Sequence, residues 1–181
     1  MGWGADRSVR RPATPAFLLA MLHALTWQAA AAVDPSPELA LCRGKPVAMT
    51  ALSRPTMQAR AVPTQQRLTV QLSPEKSISL LVISPDLDQE RAKAKRPTYG
   101  GILRLDVTRP GPYRIGVDRD AWVDVVTASG TLLDPAPEEG TFTCDGAQKI
   151  LIYSLPAAGS YWLQIALSPK RDMALTVIRA N

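Results

Sequence analysis

From Arg67 onward, apolar and polar positions alternate along the chain. Leu68, Val70 and Leu72 interleave with Arg67, Thr69 and Gln71. That period of two predicts a half-buried strand, because successive side chains leave opposite faces. Ser73-Pro74-Glu75-Lys76 reads as a turn. Ser77 to Ser84, apolar at nearly every position, is predicted to be a second, central strand buried on both faces. Pro85 to Pro97 is a charged excursion with room for one helical turn through Gln89 to Lys95. Six further strands follow, at 101–107, 113–117, 121–127, 149–155, 161–167 and 173–178, separated by Pro110-Gly111, Ser129-Gly130, Asp145-Gly146, Ala158-Gly159 and Ser168-Pro169. Seven or eight short strands at this spacing predict an all-β fold, an antiparallel β-sandwich, with a small barrel as the alternative.

An internal echo strengthens the strand reading. Gly111-Pro112-Tyr113-Arg114-Ile115 and Gly159-Ser160-Tyr161-Trp162-Leu163 share the pattern Gly-x-Tyr-x-apolar. The glycine frees the turn, the tyrosine enters the strand facing inward, and its hydroxyl is placed to bond the turn backbone.

Before Arg67 the pattern dissolves. Pro35, Pro37, Pro46, Pro55 and Pro63 break any helical stripe, so residues 33–66 read as an irregular, proline-rich arm laid on a domain spanning 67–181. Residues 1–32 have the layout of a secretory signal: Arg7, Arg10 and Arg11, then an apolar core from Ala16 to Trp27, then Ala29 to Ala32 as a cleavage site before Val33. An uncleaved anchor helix is the competing reading of the same apolar run. Arg10-Arg11 also hints at a twin-arginine route, and Cys42 at a lipid anchor, although Leu41 is bulky for the residue before a lipidated cysteine. Cleavage leaves no stable membrane insertion and places the product in a periplasm or outside the cell.

Composition then narrows the chemistry. The net charge of +5 is mild, and the densest basic run, Arg91 to Arg96, directly follows Asp86, Asp88 and Glu90, so nucleic acid is not an expected partner. The single histidine, His23, lies in the leader. A processed chain therefore lacks an imidazole for Ser-His or Cys-His catalysis and for metal ligation. Cys42 and Cys144 are an even pair in an oxidising compartment and are expected to form a disulfide, worth about 3–5 kcal/mol in the chain-entropy model.

Several motifs in order, Tyr99-Gly100-Gly101-Ile102-Leu103, Gly111-x-Tyr113, Ala121 to Val126, Cys144 followed by Lys149, and Gly159-x-Tyr161-x-Leu163-Gln164-Ile165, resemble a family of small exported proteobacterial proteins of unassigned function. Some of its members carry the label homogentisate 1,2-dioxygenase. That label implies ferrous iron held by histidines and a carboxylate, a donor set the processed chain does not contain. In strand pattern the same stretch is similar to bacterial pre-peptidase C-terminal domains, β-sandwiches appended to secreted enzymes. The resemblance implies a sandwich, with Asp124 at the acidic position of an apolar strand.

Candidate site residues are few. Trp122 and Trp162 fall by alternation on strand faces that also hold Asp124 and Gln164, which suits stacking on a sugar or aromatic ligand; the competing reading, favoured by how often tryptophan is buried, places each in the sandwich core. Asp118, Asp120 and Asp124, with Asp106 on a neighbouring strand, are candidate calcium ligands, but the spacing of a dedicated calcium loop is missing and Arg119 offers a counter-charge, so a plain solvated turn is the weightier reading. A carboxylate hydrolase would pair Asp124 with Asp134, Glu138 or Glu139. No nucleophile elbow occurs, and no catalytic residue or cofactor is assigned. The function expected is a non-catalytic binding or accessory module for a small molecule, glycan or envelope protein. The alternative is an enzyme, either the metal-dependent dioxygenase of the family label or the hydrolase.

Overall fold

The computed structural model describes residues 44–136 and 149–180. The chain divides into two units, Met1–Val33 and Asp34–Asn181, and every described residue belongs to the second. Among the described residues there are ten strands: β1 Val47–Thr50, β2 Arg67–Gln71, β3 Ser73–Pro74, β4 Tyr99–Val107, β5 Gly111–Val117, β6 Trp122–Thr127, β7 Leu132–Leu133, β8 Lys149–Leu155, β9 Gly159–Ser168 and β10 Asp172–Arg179. They form two five-stranded sheets, ordered β1-β2-β10-β5-β8 and β3-β4-β9-β6-β7, and all pairs but β1–β2 are antiparallel. This is the expected all-β sandwich.

Every second residue of the long strands enters one core. Leu68 and Val70, Leu103, Leu105 and Val107, Ile115 and Val117, Leu163 and Ile165, and Leu175 and Val177 all pack there. Burying each such side chain contributes about 1.5–3 kcal/mol, which offsets the entropy lost in ordering the chain. The repeated Gly-x-Tyr element does what its chemistry suggests. Gly111 and Gly159 sit at φ +133° and +144°, and the Tyr113 and Tyr161 hydroxyls donate to Arg109 O at 3.0 Å and Ala157 O at 2.9 Å.

Three expectations are corrected. The arm is not irregular throughout: Val47–Thr50 pairs in parallel with β2, and the chain then crosses to the other sheet. There Leu52 and Ile102 exchange backbone hydrogen bonds at 2.9 Å, and Val62 N donates to Arg104 O at 2.7 Å. The arm thus occupies the edge of β4 that two-residue β3 leaves open, covering an edge that would otherwise invite pairing with another chain. Gly101 is needed for this approach, since a Cβ there would lie 2.3 Å from the Ala51 Cβ.

Ser77 to Ser84 is not a strand. Glu75–Ser77 makes a single 3-10 turn, and the chain then runs over the outer face of the second sheet. Ile78, Leu80, Leu81 and Val82 pack on Ile102, Val126 and Trp162. Strand β9 beneath is flanked on both sides by β4 and β6, so it has no edge left to pair with. Instead the Gln164 side chain of β9 supplies the hydrogen bonds: its Oε1 accepts from Leu81 N and from Val82 N at 3.2 Å, and its Nε2 donates to Val82 O at 2.9 Å. One amide acts as a short surrogate strand for this strap.

The helical turn is a full helix, α1 Pro85–Lys93, beginning earlier than expected. Ser84 caps it, accepting from Leu87 N at 3.2 Å. Proline occupies the first turn, Asp86 and Asp88 face the positive end of the helix dipole, and Leu87 is its buried anchor. Glu75 ties the helix to β9: its carboxylate accepts from Arg91 Nε at 2.6 Å, Thr98 Oγ1 at 2.7 Å and Leu167 N at 2.8 Å. Leu167 needs that support, because it holds a left-handed backbone at φ 57°.

Candidate functional site

Strand β6 meets β7 only at Val125 and Val126, so among the described residues its first half, Trp122 to Asp124, has no strand neighbour on that side. The chain beyond β7 crosses to the other sheet instead, where Ala136 N donates to Ile152 O at 2.7 Å. A cleft of about 390 Å³ lies here, with Trp122 and Asp124 on one side, Asp86 at the start of α1, Asp134 on the crossing segment, and Lys149 and Tyr153 of β8. Trp122 and Lys149 also border a second cleft, below the other end of α1, lined by Glu90, Lys93 and Asp120. The partly exposed indole therefore stands between two depressions.

Tyr153 closes the wall. It is 1% exposed, and its hydroxyl donates at 2.8 Å to Val123 O, reaching from one sheet to the unpaired edge of the other. Burial, helped by the charges of Asp124 and Asp134, pushes the phenol far above its ordinary pKa, so it stays a donor.

Asp124 is the unusual residue. It is 7% exposed, opposite Gln164 in the β6–β9 register, and among the described residues its Oδ2 makes no well-directed hydrogen bond. The indole Nε1 of Trp122, two residues earlier on the same face, is also buried and lacks a properly directed partner. Burial raises the Asp124 pKa above the ordinary carboxylate value, while the nearby Trp122 N–H and the Lys149 charge pull it back. A buried polar group without a partner costs about 1–3 kcal/mol, so two side by side mark a place where a third group would be welcome.

The other sequence candidates disperse. Trp162 does share a face with Gln164, but it is 4% exposed beneath the strap, so the stacking reading is corrected there and core packing, the other reading of this residue, is what the fold shows. Asp118 is held by Arg119, at 2.8 and 2.5 Å, and accepts from Ala174 N at 2.9 Å. Asp106 is bound by Arg104 at 2.9 Å and Ser160 at 2.8 Å. Asp120 borders the second cleft. Among the described residues no group of three side chains suited to a metal ion comes together, so Asp118, Asp120 and Asp124 do not assemble the calcium site considered from sequence. Of the hydrolase candidates, Asp124 and Asp134 line one cleft, whereas Glu138 and Glu139 lie outside the described residues. Cys42 and Cys144 lie outside them too.

Sequence reasoning passed over Tyr153, Lys149 and Asp86. Tyr153 carried a usable signal, since an inward-facing tyrosine in an apolar strand must send its hydroxyl to some partner. No protein-family model, curated protein or solved structure matches the chain. Among the described residues no helix is long and apolar enough to cross a membrane.

Proposed function

We propose that the chain is an exported, non-catalytic binding module whose ligand enters the cleft beside Trp122 and Asp124. One observation carries the reading: a buried donor, Trp122 Nε1, and a buried acceptor, Asp124 Oδ2, lie close together at one wall of a cleft, and among the described residues neither makes a well-directed hydrogen bond. A small polar ligand with an apolar face would satisfy both atoms and cover the indole. Export to a periplasm or beyond rests on the leader-like residues 1–32, and the accessory role agrees with the likeness to pre-peptidase C-terminal domains.

The second reading, a carboxylate hydrolase, is favoured by one feature. Asp124, whose pKa is raised, and Asp134 line the same cleft, an arrangement that suits an acid and a base. Binding without turnover separates the two.

The test uses protein produced from the full sequence and screens glucose, N-acetylglucosamine, glucosamine and butylamine by thermal shift against wild type, Trp122→Phe and Asp124→Asn. At least one probe should raise the wild-type midpoint and lose most of that effect in both variants. Equal responses in all three proteins, or no response, would refute the cleft as a binding site. Release of a chromogenic leaving group from an aryl glycoside, abolished by Asp124→Asn, would favour the hydrolase instead.

A further inference from the structure

We propose that the cleft selects a protonated amine flanked by a hydroxyl or ether oxygen, with Asp124 as counter-ion of the ammonium and Trp122 Nε1 as donor to the neighbouring oxygen; this rests on the cleft being a binding site. Charge is the first argument. Among the described residues, Asp86, Asp124 and Asp134 line the cleft with Lys149 as the one cation, a local acidic excess on a chain of net charge +5. Solvated carboxylates alone would mean little, but Asp124 is more than nine-tenths buried and lines the cleft with an oxygen that makes no well-directed hydrogen bond among the described residues.

Ligand chemistry follows from what each orphan atom needs. A carboxylate removed from water is stabilised most by a group that brings both a positive charge and N–H donors. A neutral hydroxyl would offer one donor and leave the acidic excess uncompensated. The indole N–H, only poorly served by the nearby Asp124 carboxylate, takes a better-directed acceptor, which an ammonium cannot provide, so a ligand with an oxygen close to its nitrogen fits best. The partly exposed indole ring beside them attracts a cation over its face. A 2-amino-2-deoxy sugar with a free amine combines these features, and a cleft of about 390 Å³ holds a molecule of that size.

The experiment is isothermal titration of the full chain with glucosamine, glucose and N-acetylglucosamine, which share a ring and differ at one carbon. Glucosamine should bind at least about tenfold more tightly than either neutral sugar. Asp124→Asn should remove that preference, Trp122→Phe should weaken glucosamine less, and Asp134→Asn at the cleft wall should lower affinity a few-fold. Circular dichroism of each variant checks that the sandwich is intact, and Asp134→Asn serves as the probe if Asp124→Asn does not fold. Equal binding of glucose and glucosamine would overturn the amine preference and leave the binding reading standing. Failure of all three sugars to bind the wild type would overturn the amine inference. If butylamine were silent as well, the binding reading would fall with it.

Discussion

Replacing Gln164 by methionine removes three hydrogen bonds while nearly preserving side-chain volume. Gln164 is 1% exposed, and its amide joins β9 to the backbone of the strap at Leu81 and Val82. The substitution strands two N–H groups and one carbonyl above Ile102, Val126 and Trp162. Each net hydrogen bond is worth about 1 kcal/mol, and each group left buried without a partner costs about 1–3 kcal/mol. The strap is only part-buried, so water recovers some of that loss, and a fall in stability of about 2–4 kcal/mol is expected from these values. For a domain of ordinary stability, about 5–15 kcal/mol in total, that is a large fraction. Denaturant unfolding gives the global number, and hydrogen exchange at Leu81 and Val82 gives the local one. A change smaller than about 0.5 kcal/mol, with exchange at both amides unaltered, would refute the idea that one glutamine holds the strap.

Gly101→Ala brings a Cβ to 2.3 Å from the Ala51 Cβ and should cost about 1–3 kcal/mol in chemical denaturation, with Ala51→Gly restoring most of it in the double variant. Glu75→Gln weakens the hold on Arg91 and Leu167 and should lower stability by about 1–2 kcal/mol, raising amide exchange at Leu167. Stability should fall as pH rises from the ordinary carboxylate pKa to the higher folded pKa of Asp124, because the native state binds more protons than the unfolded chain in that window. Asp124→Asn should abolish this component, so its stability relative to wild type increases with pH across the same range. Non-reducing peptide mapping should find Cys42 joined to Cys144, and Cys42→Ser should lower stability by about 3–5 kcal/mol.

The seven long strands were legible because their inward residues, from Leu68 to Val177, repeat with period two between turn signals. Length and burial did not help with Ser77 to Ser84. A strap lying on a sheet buries side chains as continuously as a central strand does, and only the topology shows that β9 had no edge to offer. The same strap hides Trp162, since the face it shares with Gln164 is polar by pattern but covered in space. Strand β1 was hidden by its four-residue length and by Pro46 and Pro55 nearby, and its parallel pairing has no local signature. The start of α1 was written in Ser84-Pro85-Asp86, a cap and first turn without apolar periodicity to draw attention to it. At the site, alternation found Trp122 and Asp124. Asp134, Lys149 and Tyr153 join them only because the chain crosses between sheets at Ala136, a long-range event that no spacing encodes.

The most direct test of the binding reading is the indole N–H signal of Trp122 in a proton–nitrogen correlation spectrum, assigned by its loss in Trp122→Phe. Titrating the glucosamine, glucose, N-acetylglucosamine and butylamine panel should move that signal downfield as Nε1 gains an acceptor, at concentrations that leave the buried Trp162 signal in place. A Trp122 signal that stays fixed throughout the titrations, or moves only together with that of Trp162, would contradict a ligand in the cleft.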